Sequence, residues 1–255
     1  RHLRGGEVAV TAVLPALSAA ALRAAALVPA GVNDPKWLDN PALTKQFLPA
    51  IGETLLMMSF STLFTVLLGV PLGLLLVQTA KNGLTPNRPV YETTSTIVNV
   101  IRSFPFIIGI VVLIPVTRLI VGTSLGWQAT VVPLVLLSVP YFARLVESNI
   151  LAVDGGKIEA AQMMGASNRQ IRWGVQVREA APMLIQSITT LAITLIGYSA
   201  MAGAVGGGGL GQMAINYGYN RFEDDVMIST VVAIILIVQA VQMIGDMCSR
   251  LVDHR

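Results

Sequence analysis

Residues 54–80 read TLLMMSFSTLFTVLLGVPLGLLLVQTA, 27 consecutive positions without a charged side chain. A helix needs about 20 predominantly apolar residues to cross the hydrocarbon core of a bilayer. A charge stranded at mid-bilayer costs at least about 2.5–3.5 kcal/mol, so a long charge-free run is what hydrocarbon demands. The same property recurs at 119–143, 180–220 and 226–245. A fifth stretch, 93–121, carries only Arg102 and Arg118, with an uncharged 103–117 between them. It predicts a helix over roughly 96–117. Arg102 would sit near one headgroup layer, and Pro105 and Pro115 would bend the span, a disruption tolerated where neighbouring helices re-satisfy the freed backbone groups. The expected fold class is therefore all-α and polytopic, with five core transmembrane helices.

Composition points the same way. Hydrophobic residues make up 54% of the 255 and charged residues 12%, about half the charged share of soluble domains. That excludes an ordinary soluble domain, and excludes a disordered chain more firmly. The single cysteine, Cys248, rules out an intrachain disulfide framework or a cysteine zinc site. The two histidines, His2 and His254, sit at the ends, which argues against a catalytic histidine. A net charge of +3 is too small to point to nucleic acid.

Loop charge orients the spans. The loops 81–92 and 144–181 and the C-terminal tail together hold nine basic residues: Lys81, Arg88, Arg144, Lys157, Arg169, Arg172, Arg178, Arg250 and Arg255. The loops 118–128 and 205–225 and the segment 24–53 hold four. The positive-inside rule places the richer side in the cytoplasm, together with the C-terminus. Trp127 then fits an aromatic anchor at the outer face of the third span. The pattern divides the chain into an N-terminal hydrophobic segment and linker over 1–45 and an expected transmembrane domain over 46–255. Within residues 1–33 an alanine-rich run is interrupted by Pro15 and Arg23. It admits three readings: an extra spanning helix, a helix lying in the interface, or a cleavable signal.

The longest inner loop is more than polar. It contains Glu159-Ala160-Ala161-Gln162-Met163-Met164-Gly165. Good helix formers predict a short helix over 156–164. Gly165 can take positive φ and end that helix in a sharp turn. Small alanines and adaptable methionines suit docking into a groove on a partner protein. The competing reading is an amphipathic loop resting on headgroups.

Glu159-Ala160-Ala161, three residues and Gly165 resemble the coupling loop of ABC importer permeases. The segments 97–108 and 114–124, and above all Gly197-Tyr198-Ser199-Ala200-Met201-Ala202-Gly203-Ala204-Val205-Gly206-Gly207-Gly208-Gly209-Leu210-Gly211-Gln212, are similar to permeases of the D/L-methionine transport kind. The similarity spans roughly 50–250. It implies a type I ABC importer fold and a homodimer embedded in membrane lipid. It also implies two cytoplasmic ATPases and a methionine-binding lipoprotein outside. The chain itself would be no enzyme and would hold no cofactor; ATP and Mg would sit in the partner ATPase. The coupling surface would be Glu159, Ala160, Ala161 and Gly165, within a coupling loop over 150–181. Tyr198, Ser199 and Met201 would line the translocation pathway. The chain departs from the family pattern at Val177-Arg178, where such permeases usually carry Leu-Pro, although Pro182 is kept.

Other motifs carry less. Gly206, Gly208 and Gly211 satisfy G-x-G-x-x-G, but that fingerprint needs a strand before it and a helix after it in a βαβ unit. Here the glycines fit a turn or close backbone packing. Gly155-Gly156-Lys157 lacks the phosphate-loop spacing. Gly69 and Gly73 fit the small-residue contact pattern of membrane helices, within one subunit or between two. An ion-coupled secondary transporter usually needs a carboxylate inside its spans. None lies in the uncharged runs, which leaves carbonyl-built sodium sites as the form such an alternative would take. A permease for another small amino acid or hydrophobic substrate is the other alternative.

Overall fold

The computed structural model describes residues 37–252. The three readings of residues 1–33 lie outside the described residues. A 3₁₀ turn at Trp37–Asp39 leads into α1 (Pro41–Thr79), followed by α2 (Arg88–Arg102), α3 (Phe106–Val112), α4 (Ile114–Val121) and α5 (Trp127–Leu151). Then come α6 (Gly155–Met163) and α7, which runs over Asn168–Gly203 with a π-helical turn at Ile171–Gln176. The chain ends in α8 (Gly209–Met213), a second π-helical turn at Ala214–Tyr219, and α9 (Asp224–Val252). Four helices, α1, α5, α7 and α9, are each long and apolar enough to cross a bilayer. No strand occurs among the described residues.

The fifth span differs from the expected single helix over 96–117. Helix α2 already starts at Arg88, capped by the Asn87 side chain, which accepts from Val90 N at 3.3 Å. The chain breaks at Ser103–Pro105, and α3 leaves at 102° to α2. A proline drives the residue before it out of the α region, so Phe104-Pro105 ends one helix and begins another. Pro115 does not bend a helix either. It occupies the first turn of α4, where its missing N–H costs nothing. The inner loops are also shorter than the charge pattern implied: α5 continues to Leu151, and α7 begins at Asn168.

Small residues set the packing. Gly69 of α1 faces Phe142 of α5, and a Cβ on Gly73 would stand 2.7 Å from the carbonyl oxygen of Ala143. The Gly-x-x-x-Gly pattern thus serves contact within one chain. Met57, Leu74, Phe142, Val146, Leu191 and Leu195 form the core where α1, α5 and α7 meet. Ser61 and Thr65 are fully buried on the same stripe of α1. Helix α9 joins α7 where Gly245 meets Thr189, yet only 11% of its most apolar window is buried within the chain. Gly73→Leu should cost at least the overpacking range of about 1–3 kcal/mol, because the Ala143 carbonyl oxygen and the stiff, branched Val146 side chain both stand in the way. A thermal melt of the detergent-extracted protein checks this; a wild-type transition would refute the packing argument.

Loops that the charge count groups together lie at the same ends of the bundle. At one end Asn168 Nδ2 donates to Leu84 O at 3.4 Å, and Ser249 Oγ donates to Pro182 O at 3.3 Å. At the other, Gly126 N donates to Gly206 O at 2.9 Å, and Asn40 Nδ2 reaches Glu223 Oε2 at 2.9 Å and Asp225 Oδ2 at 3.0 Å.

Candidate coupling surface and translocation face

Helix α6 projects from the end of the bundle with one side packed against its own chain. Asp154 caps it, accepting from Gly156 N at 2.9 Å. Its end is closed by Met164 N on Ala160 O at 3.1 Å and Ala166 N on Ala161 O at 3.0 Å, with Gly165 at φ +78°. That left-handed turn is the one glycine adopts without penalty. Ser167 and Gln170 then form a capping box that starts the next helix. The π-helical turn at Ile171–Gln176 passes into α7 without a break. The missing Leu-Pro at Val177-Arg178 explains the continuity, since the Arg178 N–H, which a proline would lack, stays available to the helix. Lys157 of α6 pairs with Glu179 of α7, linking the protrusion to the base of a span.

Glu159, Ala160 and Gly165 are exposed. Ala161 is not: it is 5% exposed and faces its own chain. The expected surface is corrected accordingly, because residues two apart on a helix point to different sides. Met163 and Met164, 92% and 81% exposed, take its place. The sequence already marked them as adaptable apolar contacts suited to docking, although the coupling set implied by the family resemblance did not include them.

On α7 the three expected pathway residues do not share a face. Tyr198 stacks on Phe106 with centroids 4.0 Å apart and rings 10° from parallel. Ser199 is 2% exposed and donates to Ile196 O at 2.8 Å. It points into the chain, a correction to the expected lining. Met201 is half-exposed. The exposed line on this helix is instead Gln186, Thr190, Gly197, Met201 and Ala204. Its steps of four, seven, four and three residues keep one helical face through an uncharged run, a periodicity that was readable but not used.

At the end of the bundle opposite α6, the glycine-rich segment is pinned to α1. Gly206, Gly208 and Gly209 all have positive φ. Gly209 N donates to Glu53 Oε2 at 2.7 Å and Leu210 N to Thr54 Oγ1 at 2.9 Å. Thr130 Oγ1 donates to Gly207 O at 3.0 Å. The glycines therefore make turns and close contacts, as expected.

The sequence model of the binding-protein-dependent transport system inner membrane component family matches residues 69–255. The chain belongs to that family. As a member of this inner membrane component family it is a multi-pass transport subunit, not an enzyme. The probable D-methionine transport system permease protein MetI of Vibrio cholerae is 47% identical over 208 residues, 82% of this chain and 92% of that protein. The methionine import system permease protein MetP of Bacillus subtilis is 44% identical over 181 residues, 71% of this chain and 82% of that one. Among solved structures, a chain from inward facing conformations of the MetNI methionine ABC transporter matches with a TM-score of 0.82 and 42% identity. The match covers 84% of this chain and all of that one. An amino acid ABC transporter crystallised with histidines shares the fold, with a TM-score of 0.70 at 20% identity.

Proposed function

We propose that this chain is the permease subunit of an ATP-driven methionine importer. The observation that carries the reading is the 42% identical match over the whole length of a MetNI transporter chain. Two copies form the route, and two cytoplasmic ATPases bind ATP and Mg. An extracytoplasmic binding lipoprotein delivers the substrate. The end bearing α6 faces the cytoplasm, as do the tail and the loop after α1, in line with their nine basic residues. Glu159, Ala160, Met163, Met164 and Gly165 enter a groove on each ATPase, and the Lys157–Glu179 pair passes the movement of α6 to α7. The exposed line from Gln186 to Ala204 faces the second copy or the route.

Reconstituted with its ATPase and binding protein, the permease should accumulate labelled methionine only when ATP is supplied. Uptake driven by an ion gradient without ATP would refute the reading. Orientation has its own check in a Cys248→Ser background. Thr123→Cys and Asn220→Cys should react with an impermeant thiol reagent on intact cells, and Asn168→Cys should not. Labelling of Asn168→Cys alone would invert the arrangement.

A further inference from the structure

A cavity of about 310 Å³ opens between the first turns of α1 and the glycine-rich segment. Its volume lies at the lower end of the range for small-ligand sites. It is lined by Lys45, Pro49 and Glu53 of α1, by Gln212 and Met213 of α8, and by Asn216 just beyond. Lys45 and Glu53 are eight residues apart, about 12 Å along the helix, and they form no ion pair with each other or with any other described residue. Glu53 uses Oε2 to hold Gly209 N at 2.7 Å, while Oε1 has no hydrogen-bond partner among the described residues. Gln212 uses Oε1 to hold Gly208 N at 2.8 Å, which leaves its NH₂ group to the cavity. The α1 wall thus offers a cation and an anion that do not neutralise each other, and the facing wall offers amides. Pro49 and Met213 supply apolar surface. A ligand carrying one sign of charge would leave the opposite group uncompensated. A ligand carrying both satisfies the two together.

We propose that this cavity is a subsite for a zwitterionic α-amino acid. Lys45 and the Gln212 NH₂ group face its carboxylate, Glu53 Oε1 faces its ammonium, and Pro49 and Met213 meet its side chain. The site rests on the function proposed above, because its end of the bundle is the one at which substrate arrives. The amino acid would also contact Gly209, whose N–H is held by Glu53 Oε2.

The test uses the permease–ATPase complex in lipid nanodiscs, without binding protein. Binding is measured for L-methionine, for methioninol, which lacks the carboxylate, and for 4-methylthiobutanoate, which lacks the ammonium. Glu53→Gln keeps a carbonyl to accept the Gly209 N–H, and Lys45→Gln keeps a polar stem, so neither dismantles the loop. Each should weaken L-methionine about tenfold or more, the loss expected of a hydrogen bond to a charged group. Lys45→Gln should leave methioninol unchanged, and Glu53→Gln should leave 4-methylthiobutanoate unchanged. Wild-type affinity in both variants overturns the subsite, as does an equal loss for all three ligands or no binding to the wild type. ATP-driven uptake is measured alongside in sealed proteoliposomes that hold the wild-type complex and its binding protein. Its absence overturns the function, while its presence with charge-blind variants overturns the subsite alone.

Discussion

Replacing Met163 and Met164 together with aspartate should leave the inserted permease in normal amount and abolish ATP-driven uptake. Both side chains are almost fully exposed at the tip of α6, so the folded chain loses no packing when they change. A charge at each position would have to be desolvated on entering an apolar groove. An unpaired buried charge is among the costliest groups to place at an interface. The expected readout is loss of ATPase co-purification, with unchanged melting of the permease alone. Wild-type uptake with full ATPase recovery would remove α6 from the coupling role. Ala161→Trp cannot serve as this test, because Ala161 is packed inward and the variant would report on folding.

The second large effect concerns the contact that fastens α2 to α5. Arg144 Nη1 donates to Glu147 Oε2 at 2.6 Å, and Nη2 donates to Ser95 Oγ at 2.5 Å and Asn99 Oδ1 at 3.0 Å. The Arg144 side chain is 19% exposed and that of Glu147 9%. Arg144→Met leaves the Glu147 carboxylate buried without its partner and should cost about 3 kcal/mol. Removing both charges, with Arg144→Met and Glu147→Leu, should restore most of the lost stability, since an apolar pair of similar size needs no compensation. Melting temperatures of the extracted protein decide between these outcomes. If the single variant melts like the wild type, or the double variant melts lower still, an unpaired Glu147 charge is not what makes Arg144 necessary at this junction.

The four long spans were legible because hydrocarbon imposes one strong rule, absence of charge, and the sequence obeys it in unbroken runs. The turn at Gly165 was legible because a short run of helix formers stopped at a residue free to take positive φ. The break at Ser103–Pro105 was not, since a proline within an apolar run is compatible with a kinked helix and with two separate ones. Only packing against α5 and α7 decides between them. The site was half legible for a related reason. Motif residues are neighbours in sequence, but a helix turns each by about 100° from the last. Ala161 and Ser199 therefore face inward while Ala160 and Met201 do not. Glu53 escaped notice because it stands just outside an uncharged run, and its partner lies 156 residues away in the chain.

The pins at the glycine-rich end bear on how the machine can move. Gly126 to Gly206, Thr130 to Gly207, Gly209 to Glu53 and Leu210 to Thr54 bind α1, α5 and the segment after α7 into one block. Parting those elements would strip hydrogen bonds from groups with little water to replace them, a cost that rises steeply in an apolar setting. In the two-copy arrangement proposed above, the lowest-cost hinge line then runs between the copies. Each copy would travel as half of a clamshell, so a stroke at the end bearing α6 would reach the glycine-rich end as a tilt of the whole half.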